Sequence, residues 1–98
     1  MILNKLCELD DWDDPVLRET MRLIHPDMVR AFPDFPKGRE HRKAWENAQL
    51  MAGLRALDAI QPDGMALSVA GGHEVPIYEL TNHMRWVFAT DIYGTGGF

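Results

Sequence analysis

The chain has 98 residues with a net charge of -5, 46% hydrophobic and 26% charged. That is the composition of one small globular unit and lacks the basic footprint that nucleic-acid binding needs. Its single cysteine, Cys7, excludes an internal disulfide or a CxxC zinc site and suits a reducing cytoplasm. No apolar run approaches the ~20 residues of a membrane span.

Residues 1–14 end in an acidic cluster, Asp10, Asp11, Asp13 and Asp14, around Trp12. Asp14-Pro15 reads as a helix start, an N-cap acid followed by proline at the first helical position. Val16, Leu17, Met21 and Ile24 would share one face of that helix. His25-Pro26 should break it, because the residue before proline is pushed from the α region. A short helix from Pro26 to Ala31 follows, then a loop, "FPDFPKG". The "KGREHRK" block, residues 37–43, reads as a solvated helix start.

The strongest helix signal spans Arg39 to Ile60. Trp45, Ala48, Met51 and Ala52 lie at helical spacings, and Leu54, Leu57 and Ile60 extend the pattern. Gly53 within it suggests close packing. "QPDG", residues 61–64, ends the helix.

From there the period changes. Met65 to Ala70 suits a buried parallel strand. Gly71-Gly72 turns the chain, and Val75-Pro76 opens a helix in which Ile77, Leu80 and His83 or Met84 would face the sheet. Trp86 to Thr90 reads as a second strand ending at Asp91, followed by "YGTGGF" as loop. Trp45 and Trp86 read as core aromatics. His25, His41 and His83 have no metal-ligand spacing with one another or with Cys7.

Strand, glycine turn, helix, strand and acid make the first half of a nucleotide-binding unit. The glycines let backbone approach a ligand, and a carboxylate at the end of the second strand can accept from ribose hydroxyls. Asp91 lies 19 residues after Gly72, close to the ~20 that this arrangement expects. Taken alone, Gly71-Gly72 is equally well a plain corner. Neither GxGxxG nor GxGxG is complete, because Ala70 and Glu74 stand at glycine positions. An NAD-type diphosphate needs that backbone contact, so the looser turn suits a ligand without one.

"MALSVAGGHEVPIYELTNHMRWVFATDIYG" resembles the first strand, motif I loop, helix and second strand of class I S-adenosylmethionine-dependent methyltransferases, in a bacterial subgroup with a "GAGHE" type of loop. The resemblance covers residues 39–94. It implies an α/β fold: N-terminal helices, then the first βαβ unit of a Rossmann-like doubly wound sheet. The expected division is 1–38 for the helical segment and loop and 39–98 for the rest. The resemblance also implies S-adenosylmethionine as cofactor. Ala70, Gly71 and Gly72 would lie beside its methionine part, His73 and Glu74 at the helix entrance, Asp91 on the ribose hydroxyls and Ile92 against the adenine. Ser68 stands where many members carry an acid.

That family's core has seven strands, and this chain offers two. The expectation is therefore an N-terminal fragment of a methyltransferase, inactive by itself, with catalytic residues and methyl acceptor unassigned. Two alternatives stay open. One is an NAD-type dinucleotide-binding fragment. The other is a helical interaction module that forms a homo-oligomer, or associates with another protein, through its sheet edge.

Overall fold

The computed structural model describes residues 5–93. It forms two units that divide between Leu57 and Asp58. The helix over residues 42–56 thus belongs with the N-terminal helices. Among the described residues no helix is long and apolar enough to cross a membrane.

The first unit begins with a short 3-10 helix, Leu9–Asp13, which the sequence reading did not anticipate. Asp11 holds it: its carboxylate accepts from the Glu8 amide at 2.9 Å and from Lys5 Nζ at 2.7 Å. The lysine beside it keeps the Asp11 carboxyl below the usual carboxylate range, and the Glu8 amide adds to this. Trp12 and Cys7 pack, half-buried, on the unit's core. The tryptophan among the acids is thus an anchor.

Helix α1 runs Pro15–Ile24. The Asp14 carboxylate caps it by accepting from the amides of Val16 at 2.9 Å and Leu17 at 3.1 Å. Leu17, Met21 and Ile24 are buried as expected, but Thr20 completes the stripe and Val16 is exposed. Helix α2, Pro26–Ala31, follows the break at His25. The loop after it folds back inward. Phe35 enters the core, and the Arg22 guanidinium donates to the carbonyls of Pro33 at 2.8 Å and Phe35 at 2.7 Å.

Helix α3 spans Arg42–Ala56, shorter at both ends than the expected 39–60. His41 caps its start, Nδ1 accepting from the Lys43 amide at 3.1 Å. Asp58 stops it by taking a left-handed backbone, φ 55°. Leu57 is therefore exposed instead of continuing the stripe. Ala44, Trp45, Ala48 and Ala52 join Leu17, Met21 and Phe35 in one core between α1 and α3. Burying such side chains contributes about 1.5–3 kcal/mol for each large one.

His25 sits at the α1–α2 junction with its ring edge-on to Phe35, centroids 5.7 Å apart. Its Nε2 is buried without a hydrogen-bond partner among the described residues. Burial pushes its pKa below the ordinary histidine value of 6.5. The unfolded chain therefore binds this proton more tightly than the folded one. We expect the first unit to keep its full stability above pH 6.5 and to lose stability as pH falls from there toward the lowered value. Thermal melts at pH 7.5 and 5.5 test this. His25→Phe should remove the histidine's share of the difference, and an unchanged difference would refute the assignment.

In the second unit, strand β1 is Met65–Val69, helix α4 is Val75–Thr81 and strand β2 is Trp86–Thr90. The strands pair in parallel, Met65 opposite Trp86 through Val69 opposite Thr90. The chain is thus a mixed α/β protein with a two-stranded parallel sheet. Helix α4 buries Pro76 and Leu80 and packs on β2. Along β1, half-buried Ala66 and Ser68 alternate with exposed Met65, Leu67 and Val69. Val87 is half-buried between exposed Trp86 and Phe88, whose rings stack 6.3 Å apart. Two expectations fail here: β1 is not a buried strand, and Trp86, 54% exposed, is not a core aromatic. One βα crossover covers one face of a sheet, and a buried parallel strand needs both covered.

Candidate functional site

The turn between β1 and α4 meets the end of β2. Strand β1 stops at Val69 because Ala70 takes a left-handed backbone, φ 56°. Gly72 does the same at φ 58°, a conformation glycine adopts without steric cost. Gly71 is needed for a different reason. A Cβ there would lie 2.0 Å from Ser68 Oγ and 3.0 Å from Ile77 Cδ1. Ser68, read in sequence as a missing acid, fills the space under the turn.

Three hydrogen bonds tie this turn to residues 90–93. The Gly71 amide donates to the Thr90 carbonyl at 3.3 Å. The Gly72 amide donates to Asp91 Oδ2 at 2.8 Å. The Tyr93 hydroxyl donates to the Gly72 carbonyl. Asp91 Oδ1 also accepts from the Ile92 amide at 2.8 Å, so each carboxylate oxygen holds one backbone N–H.

The remaining expected residues stand around this knot. Glu74 is the N-cap residue of α4, and its amide donates to the Gly71 carbonyl at 3.3 Å, but its side chain does not cap the helix. His73 Nδ1 is 3.0 Å from the Tyr78 hydroxyl. The His73 ring tilts against Tyr93, centroids 5.4 Å apart. The Ile92 side chain is exposed beside Asp91. Partial burial raises the Tyr93 pKa, and the Asp91 carboxylate adds to it; both favour the protonated hydroxyl that donates to Gly72.

Asp91 thus meets the Gly71-Gly72 turn, as the strand–turn–helix–strand order anticipates. Tyr93 and Tyr78 are additional. Tyr93 follows Asp91 by two residues in the bend and turn after β2, and its place in the loop that closes β2 was its one sequence signal. Two surface grooves, of about 350 and 500 Å³, lie in the first unit, and residues 70–74, 91 and 92 line neither. Among the described residues no cluster of His, Cys, Asp or Glu could hold a metal.

No family model, no curated protein and no solved structure matches this chain.

Proposed function

We propose that the β1–α4–β2 unit supplies the adenosyl side of an S-adenosylmethionine site, as in class I methyltransferases, within a Rossmann-like fold. The reading rests on Asp91, a carboxylate at the carboxyl end of β2 held within hydrogen-bonding distance of the Gly71-Gly72 turn. A carboxylate offers about four lone-pair sites. Two take the amides of Gly72 and Ile92, which leaves one on each oxygen, the pattern a vicinal diol requires. Ile92 offers exposed apolar surface next to it for a flat base. Gly71 contributes by packing on Ser68, so ligand approach falls to Ala70 and Gly72. When bound, S-adenosylmethionine would supply an activated methyl group, and these residues would hold and orient its nucleoside.

A 1H–15N NMR titration of the protein tests the proposal. S-adenosylmethionine should shift amides of residues 70–74 and 91–93. Asp91→Ala should weaken binding by tenfold or more, on the order of one or two charge-assisted hydrogen bonds. Circular dichroism checks that the variant stays folded. Equal affinity of the Asp91→Ala variant, or a preference for NAD in a parallel titration, sinks the reading.

The uncovered apolar face of the sheet, Met65, Leu67, Val69, Trp86 and Phe88, favours a second reading, an association module. Sedimentation separates the two. A stable dimer whose strand amides shift on dilution, and which ignores S-adenosylmethionine, replaces the first reading with the second.

A further inference from the structure

Gly72 is gripped at both of its peptide groups. Its N–H belongs to the peptide plane shared with Gly71, and Asp91 holds that plane. Its carbonyl belongs to the plane shared with His73, and the Tyr93 hydroxyl holds that one. Fixing both planes fixes φ and ψ of the residue that takes the left-handed turn. Glycine has the widest conformational freedom of any residue, so without these grips the turn would sample many shapes. The two grips come from residues next to each other but one, on the strand end that also carries the acid. Tyr93 is held in turn by its ring contact with His73, and His73 by Tyr78 on α4.

We propose that Tyr93 is a positioning residue, the group that holds the Gly72 turn in register with Asp91 so that the two form one preformed site. This rests on the S-adenosylmethionine reading above and extends it to a residue which that reading does not use. A ligand meeting a turn already fixed pays less ordering entropy on binding.

Tyr93→Phe tests the role, because phenylalanine keeps the ring against His73 and loses only the hydroxyl. By amide hydrogen exchange, Gly72, His73 and Glu74 should open faster by roughly threefold to tenfold, the scale of one hydrogen bond, while strand amides 66–69 and 87–89 keep their rates. In the NMR titration the dissociation constant for S-adenosylmethionine should rise by a similar factor. Leu80→Val loosens the same unit through α4 and serves as the control: it should speed exchange across the unit and leave the dissociation constant unchanged. If Tyr93→Phe changes neither exchange at 72–74 nor affinity, or speeds exchange across the strands as Leu80→Val does, the positioning role is wrong. If wild-type protein ignores S-adenosylmethionine while Tyr93→Phe still frees 72–74 selectively, the cofactor reading falls and Tyr93 keeps its place as the clamp on this turn.

Discussion

Replacing Met21 with alanine is expected to cost the first unit about 3 kcal/mol, within the roughly 2–5 kcal/mol range for emptying a close-packed methionine site. Met21 is fully buried, with 0% of its surface exposed, in the core between α1 and α3. Trp45 and Phe35 crowd the same core and cannot collapse into the void without leaving their own contacts. Whole domains are stable by only about 5–15 kcal/mol, so one substitution removes a large share. Urea denaturation followed by circular dichroism at the helical band measures it. Val16→Ala on the same helix is the control. Val16 is exposed, and its loss should stay within about 0.5 kcal/mol. A Met21→Ala loss below about 1 kcal/mol would mean that α1 and α3 do not close-pack around it.

The second large effect is expected at Gly71. Alanine there drives a methyl group to 2.0 Å from Ser68 Oγ, with Ile77 Cδ1 at 3.0 Å and Ser68 Cβ at 3.2 Å. Relieving the contacts takes new rotamers at Ser68 and Ile77, and the Ser68 Cβ yields only if β1 shifts. Overpacking of this kind costs about 1–3 kcal/mol. It should also loosen the bonds from the turn to Thr90 and Asp91. The double variant Ser68→Ala/Gly71→Ala removes the closest clash. Its stability should recover by about 1 kcal/mol relative to Gly71→Ala alone, and a double-mutant cycle reads that coupling. Strict additivity of the two changes would show that Ser68 does not fill the space under the turn.

Where α1, α2 and α4 begin was legible because capping and proline act locally. Asp14-Pro15 and His25-Pro26 set the ends of α1 as their chemistry dictates. The end of α3 was not legible, because Asp58 adopts the left-handed backbone that sequence reading assigns first to glycine, and Leu54, Leu57 and Ile60 mimic a continuing stripe. The 3-10 helix was missed for a related reason. Asp11 looks like one more solvated acid until Lys5 and the Glu8 amide converge on it. In the second unit, strand pattern and spacing located β1, β2 and the meeting of Asp91 with the glycine turn. They did not show that Ser68 occupies the space Gly71 leaves, nor that Tyr93 reaches the Gly72 carbonyl. Both are contacts between a side chain and the turn, one local and one across the fold, and no periodicity encodes them.

The parallel register of β1 and β2 also bears on how the molecule acquires its shape. Met65 cannot find Trp86 until the crossover through α4 has closed, so chain entropy is spent before any ladder bond rewards it. The helical unit meets a closure of similar kind, since its core joins α1 to α3 across the loop between them. Folding rates fall as contacts become more distant in sequence. The Asp91–Gly72 knot, which spans the same crossover, should therefore form together with the ladder and not ahead of it.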